Sequence, residues 1–222
     1  MNVNDHHRTL LGAALVLGIG AFSIGDILRR TLEPVDPSTA ALTAAIHDRP
    51  GLWVAAGLLE VLAALLLVPG AIGARRLVAG RGARTTRIGA GLLVVGAIAS
   101  MGHAVGYFGT YASYAASGLD ASALAKLEGT NDLLGGVVIA LFMIGLMIGP
   151  LVLTIGLRRA SAVPVWVPAL ALVFVVAGVV SGPLAGVVGL VAALGSLGYV
   201  GVRVMRADVS LPAGASSAPS MA

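Results

Sequence analysis

Long apolar runs separated by short polar gaps dominate the sequence. Six of these runs reach about 18 residues or more, and a helix needs roughly 20 apolar residues to cross the hydrocarbon core of a bilayer. The pattern therefore predicts an all-α polytopic membrane protein, a bundle of six transmembrane helices. The predicted spans are 10–28, 51–74, 88–115, 132–157, 164–181 and 184–202.

The polar gaps are too short to hold a separate soluble domain, so residues 1–209 are expected to form a single transmembrane domain. The first apolar run is long for a signal peptide and lacks a clean cleavage site, which predicts that it stays in the chain as a span. Ser, Ala and Pro dominate residues 210–222, and this composition predicts a disordered tail.

The positions of the basic residues predict the orientation, because Lys and Arg concentrate in cytoplasmic loops. With the N-terminus in the cytoplasm, only Arg29, Arg30, Arg49 and Lys126 of the 14 Lys and Arg residues fall outside. Both termini are therefore predicted to be cytoplasmic, in a bacterial plasma membrane. The predicted cytoplasmic set is Arg8, Arg75, Arg76, Arg81, Arg84, Arg87, Arg158, Arg159, Arg203 and Arg206.

Composition supports the membrane assignment and excludes several chemistries. The chain is 58% hydrophobic and only 11% charged, with a mean hydropathy of +0.97, whereas soluble domains carry roughly 25% charged residues. Since there is no cysteine, disulfides, thiolate metal sites and thiol nucleophiles are excluded. The net charge of +4 comes from arginines beside spans, which favours membrane orientation over a nucleic-acid partner.

No cofactor or metal is expected from the sequence motifs. An aspartate-rich diphosphate motif, a P-loop and a dinucleotide fingerprint are all missing from the sequence. A haem between helices usually takes two histidines, and His103 is the only histidine inside a predicted span. His6 and His7 form a terminal pair with too few neighbouring ligands for a strong metal site.

Glu60 is the most informative residue, because it lies nine residues into the apolar run that begins at Gly51. At 1.5 Å per residue, this places its carboxyl group roughly 14 Å below the edge of the hydrocarbon layer. An acid at the centre of a span costs about 2.5 to 3.5 kcal/mol on the translocon scale. Such a residue is a functional candidate by default.

A polar stripe follows the third predicted span. Its residues are spaced by three or four positions and therefore share one helical face. The deep member, His103, needs a polar partner, whereas Tyr111 and Tyr114 are also explained as anchors at the membrane interface. The stripe consists of Ser100, His103, Tyr107, Tyr111 and Tyr114.

Two further carboxylates approach the same level, and each has a local alternative. Asp26 precedes Arg29 and Arg30 by three and four residues, so an ion pair within one helix explains it equally well. Asp132 and Asn131 begin the fourth predicted span, where they also fit the role of helix caps.

Together these residues predict a cavity in the outer half of the membrane. In a dry site the neutral form of Glu60 is favoured, while a neighbouring His103 would favour the ionised form, so Glu60 is a candidate proton donor or carrier. The candidate catalytic residues are Glu60, His103, Asp26 and Asp132. The candidate substrate-binding residues are Phe22, Trp53, Tyr107, Phe108, Tyr111, Asn131 and Phe142.

A buried acid among aromatic residues, without cysteine or a metal motif, resembles the small integral membrane terpene cyclases. This resemblance implies that Glu60 protonates a lipophilic, isoprenoid-like substrate, with Asp132 or Asp26 as a second carboxylate. Tyr107 or Trp53 would then stabilise a carbocation. The six-span layout and the phrase ValProValTrpValPro at 163–168 also resemble uncharacterised actinobacterial-type multi-pass proteins, a likeness that implies no chemistry.

Two other functions remain open from the sequence. In a proton-linked transporter or a small-molecule binding protein, Glu60 would carry a proton between the two sides, and a homodimer is expected because six spans are few for a monomer. In a partner subunit, Glu60 would pair with a charge on another chain. A transporter needs polar groups that continue into the inner half, whereas the cyclase hypothesis predicts a pocket confined to the outer half.

Overall fold

The computed structural model describes residues 3–34, 38–118, 120–128 and 133–206. Over these residues the fold is 89% helical without strands, which confirms the all-α prediction. The α-helices are α1 (Val3–Leu32), α2 (Thr39–Asp48), α3 (Pro50–Ala74), α4 (Ala83–His103), α5 (Thr110–Ser117), α6 (Ala121–Glu128), α7 (Leu133–Met143), α8 (Gly149–Arg159), α9 (Trp166–Val179), α10 (Pro183–Ala193) and α11 (Tyr199–Arg206).

Five continuous helical segments among the described residues are long and apolar enough to cross a membrane. The fifth predicted span, 164–181, contains only the 14 residues of α9, which extend roughly 21 Å at 1.5 Å per residue. Because a typical hydrocarbon core is about 30 Å thick, α9 falls short of this length criterion. The five segments are Asp5–Leu32, Pro50–Leu77, Ala83–Ser117, Leu133–Arg159 and Pro183–Arg206.

The boundaries differ from the predictions in one place that matters for the site. The first span was predicted to end at residue 28, but α1 continues to Leu32. Arg29 and Arg30 were predicted to lie in the loop after the first span. In the structure they are helical residues of the bundle. Helix α1 continues because Asp26 neutralises both arginines one turn earlier, as described below.

Glycines allow α4 to pack directly against the α7–α8 segment. Gly96 and Gly145 are in backbone contact, since a Cβ atom added to Gly96 would lie 2.6 Å from the Gly145 Cα. Gly149 meets Leu93 one turn along. Such close backbone packing at small residues is how helices associate in membranes. Gly182, by contrast, has no packing neighbour within 4 Å and adopts a positive φ before α10.

Three π-helical turns interrupt the long segments: Ala104–Gly109, Ile144–Ile148 and Leu194–Gly198. A π turn accommodates an extra residue in the helix and recurs at functional sites. The first of them joins α4 to α5 directly after His103, so this turn determines which side chains follow His103 on the inner face.

Helices α2 and α6 lie at one end of the bundle, called here the α2 end. Ser38 caps α2 by accepting a hydrogen bond from the Ala41 amide, and Leu42 and Ile46 pack in a cluster with Trp53. Asp120 caps α6, and hydrogen bonds from the Ala123 amide and the Ser122 hydroxyl hold the pKa of its carboxyl below the usual range. Both residues are of the types that favour the N-cap position of a helix.

Candidate functional site

A cavity of about 350 Å³ lies between the helices at the level of Glu60. This volume falls near the lower end of small-molecule sites, which range from roughly 300 to 1,000 Å³. Helices α1, α3, α4, α7, α9 and α10 all contribute to its wall. Its lining includes Phe22, Ser23, Asp26, Arg29, Arg30, Glu60, His103, Tyr107, Phe108, Phe142, Met143, Met147, Phe174, Gly186 and Leu190.

Glu60 and His103 form a buried pair on this wall. The Nδ1 atom of His103 lies 2.9 Å from the Oε1 atom of Glu60, and Glu60 is only 6% exposed. The contact is short enough for a hydrogen bond between the carboxyl group and the imidazole, and which atom donates depends on the tautomer of His103. His103 is therefore the partner that the depth of Glu60 demands.

The remaining polar atoms of the pair are available to a bound molecule. Among the described residues, neither the Glu60 Oε2 atom nor the His103 Nε2 atom has a hydrogen-bond partner. Both side chains line the cavity. Because buried polar atoms normally find partners, these two atoms mark the part of the wall where a ligand with a polar group would bind.

Aromatic rings hold His103 in position. Its imidazole stacks on Phe142, with ring centroids 4.7 Å apart and planes inclined by 4°, and on Tyr107 at 5.1 Å and 13°. Phe108 meets the imidazole edge-on at 6.1 Å. The π turn after His103 explains why Tyr107 and Phe108 both line the cavity, although they are neighbours in sequence.

Trp53 and Tyr111 support this arrangement from behind the cavity wall. Trp53 is fully buried and donates an indole hydrogen bond of 2.9 Å to the Phe108 carbonyl. Its ring contacts those of Tyr107, Phe108 and Tyr111. Neither Trp53 nor Tyr111 is among the cavity-lining residues, so the structure gives them a packing role beside the site.

Asp26 makes the local ion pairs that the sequence had left as an alternative. Its two carboxylate oxygens accept hydrogen bonds from Arg29 at 2.7 Å and Arg30 at 2.6 Å. Arg29 also pairs with Glu33. Asp26 is thus at the cavity wall, and its carboxylate is held by two guanidinium groups.

Arg30 links α1 to the end of α9. Its guanidinium donates to the carbonyl oxygens of Ala177 and Gly178, each at 3.3 Å, and to that of Val180. These carbonyls belong to the last turn of α9, where a helix lacks internal donors and a cation is favourable. The side chain of Arg30 is 4% exposed, so one buried arginine fixes where α9 ends beside the cavity.

Arg30→Met is expected to destabilise the protein by about 3 kcal/mol, because it leaves three carbonyls at the end of α9 and one oxygen of the partly buried Asp26 without their donor. Arg29→Met is the matched control. Arg29 is 24% exposed and contacts only carboxylates, so a loss near 1 kcal/mol is expected. Unfolding in mixed micelles measures both variants, and equal losses would contradict this role of Arg30.

Tyr107 connects the aromatic wall to the ion-pair group. Its hydroxyl donates to the Glu33 carboxylate at 3.4 Å, while its ring stacks on His103. Tyr107 therefore spans the distance between the Glu60–His103 pair and the charged residues at the α2 end. The tyrosine ladder continues through Tyr111 to Tyr114, with centroids 5.1 and 5.7 Å apart, as the stripe predicted.

The structure brings together most of the predicted site residues and adds others. Glu60, His103, Asp26, Phe22, Tyr107, Phe108 and Phe142 line one cavity. Asn131 and Asp132 lie outside the described residues. The sequence analysis did not identify three of the lining residues, Ser23, Arg30 and Phe174. The four-residue spacing between Asp26 and Arg30 was a usable signal for Arg30. Nothing in the sequence distinguished Phe174 from a lipid-facing residue.

Three buried hydroxyls away from the cavity form hydrogen bonds within their own helices. Thr86, Thr154 and Ser196 are fully buried. Each donates to a carbonyl four residues earlier in its own helix, a common way to satisfy a hydroxyl inside a helix. Their hydrogen bonds are thus used locally.

The chain matches no protein-family model, no curated protein and no solved structure. Its function is therefore inferred from its own residues: a buried acid–imidazole pair on the wall of an aromatic cavity within a bundle of apolar helices.

Proposed function

We propose that this chain is a membrane-embedded enzyme that protonates a lipophilic, isoprenoid-like substrate, in the manner of the terpene cyclases it resembles. The observation that carries this proposal is the 2.9 Å contact between Glu60 and His103, on the wall of a cavity otherwise lined largely by aromatic and aliphatic side chains. Buried acid–base pairs in apolar clefts are candidate catalytic groups.

In the proposed reaction, Glu60 is the general acid. The His103 Nδ1–H donates to Oε1, and the proton on Oε2 faces the cavity. When that proton moves to a substrate carbon or oxygen, Glu60 becomes a carboxylate, and the hydrogen bond from His103 becomes charge-assisted and stronger. The acid is thus stabilised more after proton transfer than before it, which lowers the barrier.

The cation formed on the substrate would lie among aromatic faces. Phe22, Tyr107 and Phe142 line the cavity around the pair, and aromatic faces attract a cation through their quadrupole. Loss of a proton from the substrate to the Glu60 carboxylate ends the reaction and restores the acid, so protons balance over one turnover.

A proton-linked transporter receives less support. It needs polar groups on both sides of Glu60, and the buried hydroxyls of Thr86, Thr154 and Ser196 are each bonded within their own helices. The polar residues of the cavity lie instead between Glu60 and the α2 end, where Asp26, Arg29 and Arg30 are located.

The direct test is to incubate membranes that contain the protein with linear isoprenoids of different chain lengths, and to look for cyclised products by gas chromatography and mass spectrometry. Membranes from cells that lack the protein are the control. Product that depends on the protein supports the proposal, and no product from any linear isoprenoid contradicts it.

We also propose that α9 crosses the membrane as a sixth span, with both termini in the cytoplasm of a bacterial cell. The N-terminal end of α9 follows Arg158 and Arg159, whereas its last turn meets Arg30 near the other end of α1. Helix α9 thus extends between the two ends of the bundle despite its 14 residues. Local thinning of the bilayer accommodates such a short span.

Because the chain has no cysteine, single cysteines can report this topology. Ser161 and Ser181, exposed residues before and after α9, are the two test positions, and Ser122, exposed on α6, is the outer control. In intact spheroplasts, a membrane-impermeant maleimide is expected to label Ser122→Cys and Ser181→Cys, and Ser161→Cys only after permeabilisation. Labelling of 161 and 181 from the same side would contradict a sixth span.

A further inference from the structure

The charges around the cavity cancel within the protein. Arg29 and Arg30 are matched by Asp26 and Glu33, and all four belong to one ion-pair group. Most of the donors of Arg30 are already used by Asp26 and by the carbonyls at the end of α9. An anionic ligand would find no unpaired cation here, so a phosphate or carboxylate would enter the cavity without a counter-charge.

Glu60 and His103 are likewise paired with each other, and in the proposed acid form of Glu60 the pair is neutral overall. A cationic ligand would find its only carboxylate partners, Asp26 and Glu60, already held by Arg29 and Arg30 and by His103. The wall therefore disfavours both signs of charge, and a neutral ligand fits it best.

Two polar atoms on the lining nevertheless lack a partner among the described residues. They are the Glu60 Oε2 atom and the His103 Nε2 atom. The hydroxyl of Ser23 also lacks a partner, but it has less than 1 Å² of accessible surface and is therefore out of reach of a ligand. A pure hydrocarbon would leave the Glu60 and His103 atoms unpaired, which costs binding free energy.

We propose that the ligand of this cavity is an uncharged lipophile with one oxygen function, a hydroxyl or a carbonyl, which binds at the wall formed by Glu60 and His103. The oxygen accepts from whichever of these groups carries the proton, and the apolar chain packs on Phe22, Phe142 and Phe174. This inference rests on the proposed function, because the oxygen lies where the proton of Glu60 would be delivered.

Binding in nanodiscs of zwitterionic lipid tests the ligand class without any turnover. The three probes share a linear 15-carbon isoprenoid chain and differ only at the end: the alcohol, the hydrocarbon and the monophosphate. Equilibrium dialysis, corrected with empty nanodiscs, gives each dissociation constant. The alcohol is expected to bind about tenfold or more tightly than either of the others, as the unpaired polar groups predict.

The double variant Glu60→Leu, His103→Phe removes both polar partners together and keeps their approximate shape. In this variant the hydrocarbon is expected to bind as well as the alcohol. Ser23→Ala is the control, because it removes a hydroxyl with less than 1 Å² of accessible surface, and it is expected to leave the preference for the alcohol within about twofold of the wild type. Retained hydrocarbon binding shows that the variant is folded. If the variant does not fold, the three wild-type constants still decide the question.

In the wild type, equal or tighter binding of the hydrocarbon or of the monophosphate would overturn the inference, and so would no saturable binding of any probe. The two proposals fail separately. A preference for the alcohol without any cyclised product would remove the proposed reaction and leave the ligand class standing. Protein-dependent product from the hydrocarbon, with no preference for binding the alcohol, would remove the proposed ligand class and leave the proposed reaction standing.

Discussion

Glu60→Gln is expected to reduce product formation by about 100- to 10,000-fold, the range that removal of a general acid produces. Glutamine has nearly the shape of glutamic acid, and its carbonyl oxygen can still accept from the His103 Nδ1–H at the 2.9 Å contact. The variant lacks only the transferable proton. The expected loss is therefore in the rate of the chemical step, measured as cyclised product per milligram of folded protein.

Glu33→Gln is the matched control for this variant. It makes the same change of carboxyl to amide near the α2 end, where Glu33 pairs with Arg29 and accepts from Tyr107, but Glu33 does not line the cavity. Its activity is expected to stay within about tenfold of the wild type, a modest effect compared with loss of the acid. Equal activities of Glu60→Gln and wild type would exclude Glu60 as the acid.

Gly96→Ala is expected to destabilise the bundle by about 1 to 3 kcal/mol or more, the cost of overpacking a tight interface. The added Cβ would lie 2.6 Å from the backbone of Gly145, and backbone atoms cannot move aside as a flexible side chain does. The α4 helix would have to separate from the α7–α8 segment. Unfolding in mixed micelles followed by circular dichroism measures the loss.

Gly91→Ala supplies the contrast within the same helix. Gly91 is exposed, and no heavy atom outside its own helix neighbourhood lies within 4 Å of a Cβ built there. Since alanine is a better helix former than glycine by roughly 1 kcal/mol, this change is expected to be neutral or stabilising. If both substitutions were equally destabilising, the close contact of Gly96 with Gly145 would not be the cause of the loss.

The helical architecture could be predicted because hydrophobic length is a local property of the sequence. The spans predicted at 51–74 and 184–202 correspond closely to Pro50–Leu77 and Pro183–Arg206. The span predicted at 164–181 did not meet the length criterion, because α9 has only 14 residues. The predicted span was longer because it included Pro164 and Ser181, which lie outside the helix. Hydropathy measures apolar content, whereas caps and turns decide where a helix begins and ends.

The site could be predicted in part, through residues whose burial demands a partner. Glu60 and His103 were both identified as deep polar residues, and the structure pairs them at 2.9 Å. From the sequence, Asp26 could be either a catalytic residue or the partner of a local ion pair. The structure shows its ion pairs with Arg29 and Arg30. The contacts of Arg30 with α9 join residues about 150 positions apart, a distance at which the spacing of residues along one helix carries no information.

The sequence by itself determined that the chain forms apolar helices of membrane length and that Glu60 and His103 need polar partners inside them, because both conclusions follow from the free energy of placing single groups in hydrocarbon. Only the tertiary structure decided which groups meet. The contact of Gly96 with Gly145, the π turn after His103 and the bonds from Arg30 to α9 position the cavity wall. These depend on how close two helices approach and how they are rotated, which close packing between distant segments decides.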